Sequence, residues 1–405
     1  STVFQLLSAR GNFTCFAPTN KAIADYLQEQ VEAGFIEEPS WDSFKTERLR
    51  DSIRKVVVYN SIIDGGDEEF YETYDFPPGN NYEFGRPNMN DIRLSVYRPH
   101  DPDSIYINRT YPINIKNRDI PAINGVIHQM EKVIAPIEVT LKTILQEQLE
   151  GYESGYVVMA RLIQACGLMD TLSKIRDEVY EQLYLTGMIE EKTPANGLAT
   201  MTGGYSYAPE HRKYGFTIFA ESDEFWQSAI GKPAEDITPQ DVQEWVKAGN
   251  YYPEAIANTN FKSPENLLYQ WTTYHILPFK LSPDRLVFHY NEKGYDYVSS
   301  PEKLSIPVME YYVTMGKRRL LKIYESLESD GIYLNRFPIL DNSRHGTGHE
   351  IGCNNDKVGS RVMREDDMLE KRTALNGFLY EIDAPIAYDE ETRKEVQAML
   401  DSDDK

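Results

Sequence analysis

The chain carries one passage twice. Phe13-Thr14-Cys15-Phe16-Ala17-Pro18-Thr19-Asn20 returns as Phe216-Thr217-Ile218-Phe219-Ala220-Glu221-Ser222-Asp223. Val56-Val57-Val58-Tyr59-Asn60 returns as Trp271-Thr272-Thr273-Tyr274-His275, and Asn124-Gly125-Val126-Ile127-His128 as Asn376-Gly377-Phe378-Leu379-Tyr380. Three blocks in one order predict two copies of one globular domain, at a period too long for a solenoid. The second copy carries roughly a dozen extra residues in its first interval and roughly three dozen in its second, lengthening that surface loops tolerate at little entropic cost.

The first block reads as a strand-to-helix corner. Side chains alternate along a strand, so Phe13 and Cys15 share one face and Thr14 and Phe16 the other. Pro18 ends the strand, and Thr19-Asn20 or Ser222-Asp223 supplies a capping oxygen for the next helix. That helix places Ile23, Leu27 and Val31 on one face in copy one, and Phe225, Trp226 and Ile230 in copy two. The last block reads as a tight Asn-Gly turn feeding a strand. Val126, His128 and Met130 alternate in that strand in copy one, and Phe378, Tyr380 and Ile382 in copy two. Pro136 and Pro385 close the two strands.

Helices ahead of the first block are visible only in copy two. Leu141, Ile144, Leu145 and Leu149 stripe one helix, and the run from Leu162 to Cys166 ends another at Gly167. Copy one begins at Ser1 without them, which predicts a fragment of a longer precursor. Residues 67–102, rich in Pro, Asn and Tyr, and residues 197–214, rich in Gly, Tyr and Thr, read as loop insertions. The run Leu267-Leu268-Tyr269 reads as an apolar strand leading into Tyr274 and His275. Residues 389–405 form a short charged tail.

Composition limits function. The net charge of −22 repels phosphate backbones and anionic membranes, which argues against nucleic acid as a partner. Three cysteines make no disulfide scaffold; Cys15 and Cys166 sit in apolar patterns as small buried hydrophobes. No apolar run reaches the length of a membrane span. No phosphate-binding loop, nucleophile elbow or His-Glu-x-x-His is present.

These ordered motifs resemble the fasciclin domain: Phe13 to Asn20, then Tyr274-His275-Ile276-Leu277-Pro278, then Asn124 to His128. Copy one departs from the pattern with Asn60 at the histidine, and copy two with Glu221 at the proline. The resemblance covers residues 1–136, an N-terminally truncated copy, and 137–388, a copy with long insertions. It implies an α+β fold of two fasciclin domains, each a wedge-shaped, seven-stranded β-sandwich with helices along one edge. Members are mostly adhesion or matrix proteins and not enzymes as a rule, so no cofactor is expected. The loop lengths are most like those of cell-surface fasciclin lipoproteins of Bacteroidota, implying an outer-membrane-anchored or extracellular location.

Contact residues follow from the same resemblance. The Tyr-His region of animal members serves receptor adhesion, which transfers to Tyr274 and His275, although a core role with a hydrogen-bonded histidine is the simpler reading. Loop tyrosines such as Tyr71, Tyr74, Tyr82, Tyr251 and Tyr252 suit protein or glycan contacts, with Tyr82, Tyr205 and Tyr207 as site candidates; the alternative is that these rings pin the long insertions onto the sandwich. The expected partner is a protein or glycan at the cell surface; an alternative is a SusC/SusD-type uptake complex with its outer-membrane transporter. A rival reading from another class takes His345, His349, Glu350 and Cys353, within a glycine-rich loop, as ligands of a zinc-like ion in a metal-dependent enzyme.

Overall fold

Strand β1 (Phe13–Pro18) forms where the first block alternates apolar residues, and it buries Phe13, Thr14 and Phe16 while Cys15 stays half-buried. This is a computed structural model. It describes chiefly residues 11–66, 70–78, 82–90, 92–99, 104–135, 139–151, 155–175, 214–283, 285–287, 308–317, 319–326, 331–336, 338–341, 349–353, 359–363 and 372–386, with a few isolated residues besides. Two units emerge: Ser1–Glu138 with Ser282–Asp284, and Val139–Leu281 with Arg285–Lys405.

In unit 1, Thr19 accepts from the Ala22 amide and starts helix α1 (Asn20–Glu32). Its buried residues are Ala22, Tyr26 and Leu27, with Ile23 and Val31 packed at the margin. Thr46 caps α2 (Glu47–Asn60), which leads into β2 (Ile62–Asp64). Then follow β3 (Tyr82–Glu83), β4 (Ser95–Tyr97), β5 (Tyr106–Ile107), β6 (Tyr111–Pro112), β7 (Ile120–Ala122) and β8 (Gly125–Met130). They make two four-stranded sheets, ordered β2-β1-β8-β7 and β3-β4-β5-β6. The pairing of β1 with β8 is parallel, and Phe16, Ile63 and Met130 pack with Phe84, Leu94, Val96 and Ile107 in one core cluster.

That cluster corrects the reading of residues 67–102 as a loop insertion. Tyr71, Phe76, Phe84, Leu94 and Val96 from this stretch are all buried. Its strands are only two or three residues long, and a two-residue period needs more length than that to show in a sequence.

Unit 2 opens with α3 (Leu141–Glu150), whose cap Thr140 exchanges hydrogen bonds with Thr143, and α4 (Val157–Ala165). Strand β9 (Phe216–Glu221) is followed by α5 (Asp223–Ile230), capped by Ser222. Asp223 turns back to accept the Gly155, Val157 and Val158 amides at the start of α4. Helices α6 (Pro239–Ala248) and α7 (Leu267–Tyr274) precede β10 (Ile276–Leu277). The remaining strands are β11 (Val308–Val313), β12 (Leu320–Ser326), β13 (Gly331–Leu334), β14 (Pro338–Asp341), β15 (His349–Cys353), β16 (Ser360–Met363), β17 (Thr373–Ala374) and β18 (Gly377–Ile382). The main sheet runs β10-β9-β18-β16-β13-β12-β11 with β17 on β18, and β14 pairs with β15 apart from it. Tyr388, Thr392 and Val396 carry the chain's end into packed structure: Thr392 and Val396 are buried and Tyr388 stacks on Tyr252.

The two units repeat one arrangement. Phe216 pairs with Gly377 in parallel as Phe13 does with Gly125, and β10 flanks β9 as β2 flanks β1. The glycine of each Asn-Gly block is needed for this close approach. A Cβ would lie 2.0 Å from the Phe13 carbonyl oxygen at Gly125 and 2.1 Å from that of Phe216 at Gly377. Where seven strands were expected in each sandwich, the described residues of unit 1 hold two sheets of four and those of unit 2 a larger sheet plus a strand pair.

Candidate functional site

The polar centre of unit 2 forms where β9 and α7 end beside each other. The Asn266 side chain caps α7 by accepting from the Leu268 and Tyr269 amides. The sequence reading made Leu267-Leu268-Tyr269 a strand; it is the first turn of this helix. A short apolar run buried on every side has no period that separates the two states, and the cap and the surrounding core decide. Thr273, mid-helix, returns its hydroxyl to the Tyr269 carbonyl at 2.6 Å.

Tyr274 and His275 finish the helix inside the core, 1% and 0% exposed. Tyr274 donates to the Leu320 carbonyl at 2.8 Å and accepts from Asn335 Nδ2 at 3.0 Å. His275 Nδ1 lies 2.8 Å from the Trp271 carbonyl and Nε2 lies 3.0 Å from Glu221 Oε1. Trp226, Trp245, Trp271, Tyr251, Tyr252 and Tyr388 surround them in edge-to-face, tilted or stacked pairs. Each fully buried aromatic of this kind contributes about 2–3 kcal/mol of transfer energy. Burial raises the Tyr252 phenol well above its usual range. As contact residues, Tyr274 and His275 are therefore corrected: they have no surface to offer, and their polar atoms are engaged within the unit.

The pairing of the repeats also shifts by one residue here. The Phe219 amide bonds the His275 carbonyl, and the equivalent Phe16 amide bonds that of Ser61. Ile276 faces Ile218 as Ile62 faces Cys15. The residue of copy one that matches His275 is Ser61, whose hydroxyl likewise returns to the helix at the Val57 carbonyl. Asn60 instead matches Tyr274, and it bonds the Ile134 carbonyl and Asn90. Two aligned tyrosines, Tyr59 and Tyr274, misled the sequence comparison.

Unit 1 has its own buried histidine, which the sequence reading had placed on a strand face. His128 Nε2 is 2.9 Å from the Tyr71 carbonyl, and Nδ1 accepts from the Asp119 amide at 3.3 Å. Asp119 in turn accepts from the Thr73 amide and hydroxyl, so residues 71–73 are tied to β8. Burial lowers the His128 pKa against the pull of the Tyr71 carbonyl and the Asp119 carboxylate. A neutral ring suits both contacts.

Of the remaining candidates, Tyr82 is half-buried in β3, opposite Val96. Tyr205, Tyr207 and His345, like nearly all of residues 197–214, lie outside the described residues. The expected loop at His349, Glu350 and Cys353 is strand β15, in register with β14 through Asp341, Leu340 and Pro338. Glycines suggested a loop there, and strand pairing across sequence overrode them. Among the described residues no group of three His, Cys, Asp or Glu side chains is placed to hold a metal ion.

Two exposed apolar residues that sequence reasoning did not single out lie on the β7–β8 hairpin of unit 1, and the segment of Tyr74, one of the loop tyrosines it named, is held beside it. Ile120 is 41% exposed in edge strand β7, Ile123 at the hairpin tip is fully exposed, and Tyr74 is 79% exposed. The Thr73–Asp119 bonds hold the Tyr74 segment next to this hairpin. Elsewhere in the unit a depression of about 420 Å³ is lined by Ser104, Tyr106, Asn114, Lys116 and Glu131 among others.

The family model for the fasciclin domain matches residues 1–136. The match spans a third of the chain and falls within unit 1, which carries the exposed hairpin. A solved FAS1 domain pair from the insect cell adhesion molecule fasciclin I is 14% identical, covering 96% of this chain and 93% of that one at a TM-score of 0.33. No curated protein matches. No helix among the described residues is long and apolar enough to cross a membrane.

Proposed function

We propose that the chain is a non-catalytic adhesion protein of the cell surface, with unit 2 as a second fasciclin domain spanning residues 137–388. The partner is a protein, met by unit 1 through Ile120, Ile123 and Tyr74. The observation that carries this reading is the exposed apolar hairpin on a domain of an adhesion family. Apolar and aromatic groups left in water on a rigid scaffold are the usual material of a contact surface. Pro121 lies on the same edge strand and blunts it as a template for strand addition, which favours side-chain contact over sheet extension.

Anchoring as an outer-membrane lipoprotein belongs to the same proposal. The alternatives are a glycan partner and an accessory role beside a SusC/SusD-type transporter. Plates coated with the full chain test the reading. Cells of its own source should attach, and Ile123→Glu with Tyr74→Ala should reduce attachment at least several-fold while thermal unfolding stays unchanged. Protease treatment of the cells should abolish attachment, whereas loss on glycosidase treatment alone would point to the glycan. Equal attachment of the variant would refute the surface.

A further inference from the structure

We propose that Glu221 and His275 share a single proton, making unit 2 a pH-sensitive latch that tightens in mild acid and loosens as pH rises above neutrality. The Trp271 carbonyl can only accept, so His275 Nδ1 must carry a hydrogen at 2.8 Å. Once Nδ1–H is fixed, a neutral ring offers only a lone pair at Nε2. The Glu221 oxygen 3.0 Å away offers only lone pairs when ionised. Two acceptors at that distance repel, so one proton must lie between them, on the imidazole or on the carboxyl. Both side chains are 0% exposed, and among the described residues Glu221 Oε2 has no hydrogen-bond partner. Bulk solvent is excluded from the pair, and an unshared carboxylate there would be costly.

The pair sits at a mechanical junction. Glu221 ends β9, and His275 joins α7 to β10 while its carbonyl holds the Phe219 amide. Unit 1 has Pro18 and Ser61 at these two positions, neither of which titrates. The latch is therefore a property of unit 2 alone.

Other ionisable groups pack around the pair. They are the Tyr252, Tyr274, Tyr388 and Tyr380 phenols, the Cys166 thiol, Asp223 and Arg319, whose guanidinium lies 4.7 Å from the Tyr252 ring and 4.9 Å from that of Tyr388. Phenols and guanidinium ordinarily titrate at about 10 and above. The thiol is pushed up to about 12 by burial. Asp223 accepts three backbone amides.

In an unfolded chain above about pH 6.5 the glutamate is ionised and the histidine neutral, so the pair holds no proton there and one in the folded unit. The folded state thus binds more protons, and its stability falls as pH rises. While the folded pair keeps its proton, the loss in the folding equilibrium constant approaches about tenfold per pH unit and comes to about fiftyfold from pH 6.5 to 8.5.

The test uses the full chain carrying Trp41→Phe, so that fluorescence reports only Trp226, Trp245 and Trp271 of unit 2. Urea unfolding is followed at half-unit steps of pH. Glu221→Gln donates an amide hydrogen to a neutral Nε2 without needing the shared proton. It should remove the loss between pH 6.5 and 8.5 that the parent shows. Should that variant not fold, Glu221→Pro with His275→Ser, the residues of unit 1, should be equally flat. A parent without the loss, or a variant that keeps it in full, overturns the proposal.

Discussion

Asn376→Ala should cost unit 2 about 3–5 kcal/mol, and the figure follows from one side chain's contacts. Asn376 is 1% exposed. Its Oδ1 accepts from the Leu141 amide at 3.0 Å, and its Nδ2 donates to the Leu172 carbonyl at 2.8 Å and the Lys174 carbonyl at 2.9 Å. One residue therefore fastens the first turn of α3 and the turn after α4 to the start of β18. Each bond contributes about 0.5–1.5 kcal/mol net, and a buried group left without a partner costs about 1–3. Three bonds lost, with partial rescue of the carbonyls by water, gives the stated range. A unit of this size has a urea slope of about 3 kcal/mol per molar, so the midpoint should fall by about 1–2 M. Urea unfolding in the Trp41→Phe background measures it directly. Asn376→Asp should do at least as badly, because it keeps the acceptor for Leu141 but turns an oxygen toward two carbonyls. A midpoint within about 0.3 M of the parent for the alanine variant would refute the reasoning.

Two further outcomes follow from the buried groups. Burial pushes the Cys15 thiol up to about 11 and that of Cys166 to about 12, so neither should react with iodoacetamide at about pH 8 in the folded chain, while both should in urea; peptide mass spectrometry reads this. The lowered His128 pKa means that its contribution to unit 1 is complete above about pH 6.5 and is lost as pH falls from there through its folded value. An NMR titration of the ring should therefore give a midpoint below about 6.5, and a higher midpoint would contradict the burial argument.

Much of the framework was legible in the sequence because it rests on neighbours in the chain. Thr19 and Ser222 cap their helices as read, since a cap needs only an oxygen two or three residues ahead of an amide. The strands β1, β8, β9 and β18 form where their blocks predict strands, although β9 is buried at every position. The candidate contact residues were less legible. The Tyr274 and His275 pattern marks a recurring core junction, and nothing in its letters tells a buried histidine from an exposed one. Residues 67–102 looked like a loop because their strands are too short to show a period.

What the sequence by itself determined is the duplicated plan: strand, capped helix, and a closing strand whose Asn-Gly start brings its glycine against the first. Only the tertiary structure decided that residues 267–274 are helical, that His275 stands where unit 1 has Ser61, and that Glu221 is its partner. The physical reason is distance along the chain. Helix and strand compete evenly for a short apolar run, and the outcome depends on which distant groups supply hydrogen bonds and which surround it.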